Sequence, residues 1–305
     1  MSVAPRVVVI HRRTELDDLL ARHGTRGQAS FFLAARGRSL DDVAARDEAV
    51  QAALAAVGSG IPAEWRRATV ERADLDRFLF GPEDIVAVVG QDGLVANVSK
   101  YLNGQPVIGV DPEPGRNAGV LVKHAPPEFG ALVRAVGAGV ATYEARAMVE
   151  ATLDDGQTLV ALNEIFVGHP THQSARYRLW SEDADERQSS SGLIVSTGTG
   201  ATGWCQSVWR QTHSRLVLPE PSELRLVWFV REPWPSPVTG TTLGEGELLA
   251  AASLRIVAET DGLVVFGDGI ESDRLTLGWG QQVEIRLAAR TLRLARPAES
   301  TALAA

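Results

Sequence analysis

Two rhythms of apolar positions divide the chain. In the first part, compact β-branched runs alternate with helical spacing. Arg6 to Ile10 is such a run, as expected of a strand covered on both faces. Thr14 to Arg22 follows with helical periodicity, and Ser39 to Val57 predicts a longer alanine-rich helix with Ser39 as N-cap. Asp84 to Val89 predicts a strand ending at Gly90, with a helix from about Val95 to Leu102. Pro106 to Val110 is another strand, and Pro126 to Val136 another helix with proline in its first turn. This alternation predicts an α/β domain over residues 1–137 with an open, mostly parallel sheet.

The character changes near Gly137-Ala138-Gly139. Strand-like runs then dominate: Thr158 to Val167, Ala175 to Trp180, Leu193 to Ser196, Leu224 to Val230, Leu254 to Ala258, Leu263 to Phe266 and Val283 to Leu287. Asp155-Gly156 and Asp261-Gly262 are hairpin-type dipeptides. Pro219 to Pro221 and Pro233 to Pro237 read as loops. A mainly antiparallel β domain is therefore expected over 138–290, followed by a small, polar C-terminal tail over 291–305 that is expected to be disordered at its end.

Bulk properties narrow the classes of partner. The chain has 305 residues, more than one core usually organises, which favours two domains. Apolar residues make up 45% and charged residues 22%, an ordinary globular composition. A net charge of −8 argues against a nucleic-acid partner, which calls for a basic face. Cys205 is the only cysteine, consistent with a reducing compartment, and the apolar run after Met1 is short enough to be a first strand and not a signal peptide. No stretch approaches the roughly 20 apolar residues that cross a bilayer. A cytoplasmic protein with no membrane partner is expected.

Three polar segments carry candidate chemistry. Gly90-Gln91-Asp92-Gly93 sits between a strand and a helix, where ligands of open parallel sheets bind. Its glycines admit close approach of a ligand, and Asp92 has the chemistry of a base for a hydroxyl nucleophile. The plainer alternative is a tight turn in which Asp92 caps the helix. Ser196-Thr197-Gly198-Thr199-Gly200-Ala201-Thr202-Gly203-Trp204 also follows a strand. It satisfies GxGxxG literally, but lacks the βαβ unit and the acidic strand end of a dinucleotide fold. It reads as a turn suited to phosphate or ribose, or as a structural turn. Asn163-Glu164 interrupts an apolar run, which suggests either ribose binding or a surface edge strand.

Weaker signals are read structurally. His169 and His172 lack a third ligand nearby, so no metal site is assigned. Cys205 is read as a buried structural thiol, and the seven tryptophans as core or interface residues.

Taken in order, Gly90 to Gly93, Asn163-Glu164 and Thr197 to Ala201 resemble the NAD kinase family, which belongs with diacylglycerol and sphingosine kinases. The family pattern runs Gly-Gly-Asp-Gly, then Asn-Glu, then Thr-x-Thr-Gly-Ser/Ala. Val107 to Gly119, Ser190-Ser191-Gly192 and Phe229 to Pro233 resemble the mitochondrial-type branch, and Asp268-Gly269 resembles a late Asp-Gly turn. Three residues depart from the pattern: Gln91 stands for the second glycine, Leu94 for a threonine and Trp204 for a tyrosine. The resemblance implies a two-domain kinase using ATP and Mg²⁺ to phosphorylate the adenosine-ribose 2′-hydroxyl of NAD, assembled as a homodimer or larger. Asp92 would be the base. Gly90, Gln91, Gly93, Asn163, Glu164, Ser191, Thr197, Thr199, Gly200, Thr202 and Trp204 would hold nucleotide, and the charge and position of Arg116 suit phosphate. A same-fold kinase for another hydroxylated metabolite or lipid and a non-catalytic nucleotide-binding protein are the alternatives.

Overall fold

A computed structural model describes residues 4–116, 119–182 and 184–296. They divide into two compact units: one up to Glu144 joined by Arg293 to Arg296, the other Ala145–Leu292. Among the described residues, no helix is long and apolar enough to cross a membrane.

In the first unit, strands β1 (Arg6–His11), β2 (Arg66–Glu71), β3 (Asp84–Val89) and β4 (Pro106–Val110) pair in parallel. Helices α1 (Glu15–His23), α2 (Arg26–Ala34) and α3 (Leu40–Gly60) link β1 to β2; α4 (Asp92–Ser99) links β3 to β4; α5 (Phe129–Gly137) follows. Alternate residues of the strands, Val7, Val9, Ile85, Ala87, Val89, Ile108 and Val110, pack on Val57 of α3 and on Phe129 and Val133 of α5. The intervening Val8, Ile10, Val86 and Val88 are buried as well, which is why these strands are rich in valine and isoleucine. At the strands' amino ends, Arg6 grips the buried Asp84 with two hydrogen bonds of 2.8 and 2.6 Å.

The second unit stacks two antiparallel sheets. It contains β6 (Val149–Leu153), β7 (Thr158–Ala161), β8 (Glu164–Gly168), β9 (Ala175–Ser181), β10 (Ala184–Ser190), β11 (Leu193–Ser196), β12 (Arg225–Val230), β13 (Glu245–Leu249), β14 (Ser253–Ala258), β15 (Leu263–Gly267), β16 (Leu275–Leu277) and β17 (Gln282–Leu287). The sheet orders are β10-β9-β14-β17-β6-β7 and β13-β12-β11-β8-β15-β16. One apolar core joins their facing sides, among it Tyr177, Leu179, Trp228 and Ile256. The other face of the second sheet carries α6 (Trp204–Gln211) on Phe166, Ile194, Val227 and Phe229.

The expected fold class is the one observed, an α/β part with a parallel-rich sheet followed by antiparallel sheets, while several local expectations are corrected. The run from Thr158 to Val167 is two strands, because the chain changes sheet at Leu162-Asn163. Asp155-Gly156 does close a hairpin, between β6 and β7. Asp261-Gly262 does not: β14 and β15 lie in different sheets, and Asp261 instead accepts the Trp279 amide at 2.7 Å. Helix α4 starts at Asp92, three residues before the expected Val95. Helix α2 and the edge strands β2, β10 and β13 lack clean periodicity and were not expected. The apolar pattern places the end of the first domain at residue 137 and the start of a tail at 291. The contacts instead divide after Glu144, and β18 (Leu292–Ala295) inserts beside β4, with β5 (Tyr143–Arg146) beyond it. The rest of that tail, 297–305, lies outside the described residues.

Two glycines give opposite expectations. A Cβ on Gly109 of β4 would overlap the Leu121 carbonyl oxygen, so Gly109→Ala is expected to cost about 1–3 kcal/mol in denaturant unfolding. Gly58 of α3 has nothing within 4 Å of such a Cβ, so Gly58→Ala is expected to stabilise by roughly 0.5–1 kcal/mol in the same measurement.

Candidate functional site

The first loop leaves β3 at its carboxyl end. Gly90 donates its amide to Val110 at 3.1 Å, and α4 begins two residues later. Asp92 does not cap this helix. Gln91 holds the cap position without a side-chain bond, and the Asp92 carboxylate reaches across to another segment. Its Oδ1 accepts the amides of Leu121 at 2.8 Å and Val122 at 3.1 Å, and its Oδ2 accepts that of Val120 at 3.0 Å. A carboxylate has about four acceptor positions, so one, on Oδ2, stays open. The 120–122 segment is itself fixed behind: it crowds Gly109, and His124 exchanges backbone bonds with Gly109 and Asp111. Gln91 and Gly93 are exposed, and a Cβ on Gly93 would meet nothing. Arg116, expected to bind phosphate, pairs with Glu113 at 3.0 Å and is half exposed. The neighbouring Asn117 and Ala118 of the Val107 to Gly119 segment lie outside the described residues.

In the second unit, Asn163-Glu164 and the glycine-rich turn are brought together. The edge-strand alternative for the polar pair is wrong, because β8 lies between β11 and β15. Crossing between sheets leaves the amides of Leu162 and Asn163 without ladder partners, and the Asp268 carboxylate takes them at 2.9 and 2.6 Å. The Leu162 carbonyl accepts the Thr197 hydroxyl at 2.6 Å, and the Asn163 carbonyl accepts the Thr197 amide at 2.9 Å and the Ser196 hydroxyl at 3.2 Å. Thr197 Oγ1 also accepts the amides of Thr199 and Gly200, at 3.1 and 3.3 Å.

The glycines of this turn serve the protein's own backbone first. A Cβ on Gly198 would overlap the Glu220 carbonyl, and one on Gly200 the Asn163 carbonyl. Thr199 is buried and receives Arg146 Nη1 at 3.3 Å. Thr202 and Gly203 are exposed, though the Thr202 hydroxyl donates to Thr199 at 2.9 Å. Trp204 stacks on Phe166 at 5.8 Å and lies under the Arg231 guanidinium at 5.3 Å. Ser191 is exposed, with its amide on the Arg231 carbonyl at 2.9 Å.

Glu164 is the electrostatic anomaly. It lies 8% exposed, on the same face of β8 as Phe166, and the Asp268 amide donates to its carbonyl at 3.1 Å. Burial, aided by the charge of Asp268, pushes its carboxyl up to about 8. At neutral pH it is therefore largely protonated, able to donate one hydrogen bond and accept others, as a sugar hydroxyl requires. Cys205 is buried, and burial raises its thiol to about 11, in keeping with a structural thiol. His169 Nδ1 is engaged by Thr171, and among the described residues no three His, Cys, Asp or Glu converge as metal ligands. Trp234 and Trp279 are exposed, not core.

Asp92, Asn163, Glu164 and the Thr197 turn were marked by the sequence; Arg146 and the carboxylate role of Asp268 were not. Both act on partners more than 50 residues away, and no local spacing signals that.

The shift on Glu164 sets a pH dependence. Below the unfolded value of 4.5 both states hold the proton; between 4.5 and about 8 the unfolded chain has lost it and the folded chain keeps it. Stability therefore falls as pH rises through that window, by on the order of 3–5 kcal/mol from this group. Glu164→Gln is expected to flatten the decline of Tm between pH 5 and 9. An unchanged slope would remove the assignment.

No family profile matches the chain. Its sequence is 26% identical over 140 residues to an NAD kinase of Chlorobaculum tepidum, covering 45% of this chain and 47% of that one. It is 34% identical over 131 residues to an NAD kinase of Saccharophagus degradans, covering 41% and 44% respectively. The chain thus spans less than half the length of these curated relatives. A solved structure, yeast NADH kinase complexed with NADH, superposes with a TM-score of 0.59 over 97% of this chain and 85% of that one, at 15% identity. The fold is that of the yeast enzyme.

Proposed function

We propose that this chain is an NAD kinase, transferring the γ-phosphoryl group of ATP to the 2′-hydroxyl of the adenosine ribose of NAD. The observation that carries the reading is the Asp92 carboxylate, fixed by three backbone amides with one acceptor position open. In the proposed step that position takes the hydroxyl proton, the ribose oxygen forms its bond to phosphorus, and the bridging oxygen leaves with ADP. The similarity to two NAD kinases and the fold shared with yeast NADH kinase support the same chemistry.

The other marked residues take roles consistent with their surroundings. Gly93 meets no neighbour that forbids a side chain and weakens its helix, which close approach of a nucleotide would explain. Protonated Glu164 and Asn163 would hold a ribose, with Thr199, Gly200, Thr202 and Ser191 around the second turn and Trp204, held between Phe166 and Arg231, beside them. Gly90, Gln91 and Arg116 belong to the phosphate side. Mg²⁺ would enter with ATP as part of the substrate, neutralising phosphate charge, and a phosphate-borne Mg²⁺ needs no more than one or two protein carboxylates. Ser191 and the segments 107–119 and 229–233 favour the mitochondrial-type branch. Partners would be small nucleotides, in a cytoplasmic homodimer or larger assembly.

Gln91 favours one second reading. Its exposed side chain stands where the family pattern has glycine, so a same-fold kinase with a different acceptor would consume ATP with another alcohol and ignore NAD.

Purified protein with ATP, Mg²⁺ and NAD is expected to form NADP, and Asp92→Asn to lower kcat at least about 100-fold while remaining folded by circular dichroism. Absence of NADP from the wild type, with ATP and with inorganic polyphosphate, would sink the NAD reading. Equal activity in the variant would sink Asp92 as base.

A further inference from the structure

Residues 19–40 hold four arginines and a histidine and not one aspartate or glutamate, in a chain whose net charge is −8. Folded, this stretch makes the α1–α2 corner of the first unit. A small core of its own, which includes Leu19, Leu33 and Val43, holds the corner against α3. Thr14 and Thr25 cap the two helices by accepting the amides of Asp17 and Gln28, both at 3.2 Å. The corner is therefore a preformed platform.

Ala29 and Leu33, one turn apart on α2, face that core, which turns Phe31 outward and leaves it 78% exposed. An isolated exposed ring would carry no meaning. Phe31 instead lines an open pocket of about 580 Å³, with Phe32, Arg22, His23, Gln28 and Arg36 around it. Arg36 and Arg22 lie over the ring of the half-buried Phe32, at 3.8 and 5.5 Å, and the His23 ring is 4.4 Å from it. Such contacts fix where a guanidinium sits without cancelling its charge. Arg38 is paired with Glu15, whereas Arg22, Arg26 and Arg36 are exposed and form no ion pair with a described residue. Among the described residues, no carboxylate lines the pocket. Gly27, in the first turn of α2, lines it too, although glycine is a poor helix former. A Cβ on Gly27 would meet nothing within 4 Å, so no neighbour demands the glycine, and its absent side chain keeps the pocket open.

We infer that this corner is a docking surface for an acidic segment of a partner protein. An apolar side chain of the segment enters beside Phe31 and Phe32, and its carboxylates pair with Arg22 and Arg36. Charge complementarity selects this occupant: the cations are unpaired and fixed, and a guanidinium fork takes a carboxylate with two parallel bonds. Aromatic rings and arginines are also the residues that protein interfaces concentrate. A lipid surface fits less well, because the pocket is concave and a chain of net charge −8 is repelled by an anionic bilayer. The inference makes no use of Asp92 and stands whether or not the chain is an NAD kinase.

Fluorescence anisotropy of the full chain with a labelled, blocked heptapeptide tests it, the peptide having one phenylalanine between two runs of three glutamates. Wild type is expected to bind this peptide, and about tenfold more weakly when serine replaces its phenylalanine. A peptide with lysines for the glutamates should not bind. Phe31→Ser and the double variant Arg22→Glu, Arg36→Glu should each weaken binding about tenfold or more, with circular dichroism unchanged. Gly27→Leu keeps every existing contact and fills the pocket, so it should weaken binding by a similar factor without loss of fold. Arg66→Ala, at the amino end of β2, should leave binding unchanged. No binding of the phenylalanine peptide by wild type overturns the inference, as does affinity indifferent to Phe31→Ser and Gly27→Leu. Binding to vesicles of phosphatidylcholine and phosphatidylserine that Phe31→Ser abolishes, without peptide binding, gives the surface to lipid and overturns it. Dissociation of an oligomer by Phe31→Ser in sedimentation, again without peptide binding, gives it to a second copy of the chain and likewise overturns it.

Discussion

Where the chain leaves one antiparallel sheet for the other, at Leu162-Asn163, it forfeits its ladder partners in a buried place, and the second unit is organised around replacing them. Two amides go to Asp268, two carbonyls to Thr197 and Ser196, and a glycine at 200 lets the turn press against the Asn163 carbonyl. An unpaired backbone group buried here would cost about 1–3 kcal/mol, so each replacement is an obligation and not an ornament. One by-product is Glu164: the register that satisfies the crossing sets its carboxyl opposite Asp268 and under α6, where it keeps its proton.

The first unit solves a similar problem with the same device. There the 120–122 segment leaves the sheet region and its amides are collected by Asp92. In both units an aspartate just beyond the end of a strand gathers consecutive amides of a distant segment, and in both a residue marked as functional lies at that junction. The aspartates differ in what remains: Asp92 keeps an acceptor position open, whereas Asp268 lends its charge to a neighbour.

Legibility in the sequence followed the physical origin of each feature. Strands buried on both faces, such as β1, β3 and β12, announce themselves by unbroken apolar runs, and Ser39 caps α3 as expected, while the Thr14 cap of α1 was not anticipated. Edge strands such as β10, Ala-Asp-Glu-Arg-Gln-Ser-Ser, bury little and so carry no pattern. The crossing at Asn163 was visible as a polar interruption, but its meaning depends on which sheet each half joins, a matter of residues 195 and 266 and not of local spacing. Gly200, marked for nucleotide binding, is also demanded by the Asn163 carbonyl, as Gly198 is by that of Glu220, whereas Gly93 carries no such demand.

Strand β18 has a consequence in time as well as in space. Its four residues fill the place between β4 and the outermost strand β5, yet they come after the whole second unit. On the ribosome, the first sheet must wait with that slot vacant while about 150 further residues emerge, at about 5–20 residues per second. The second unit, Ala145–Leu292, has its full complement of strands before the first does. The half that begins the chain is thus the last to be completed, and for several seconds of each synthesis β4 presents an unpaired flank to whatever chaperone or neighbouring nascent chain is at hand.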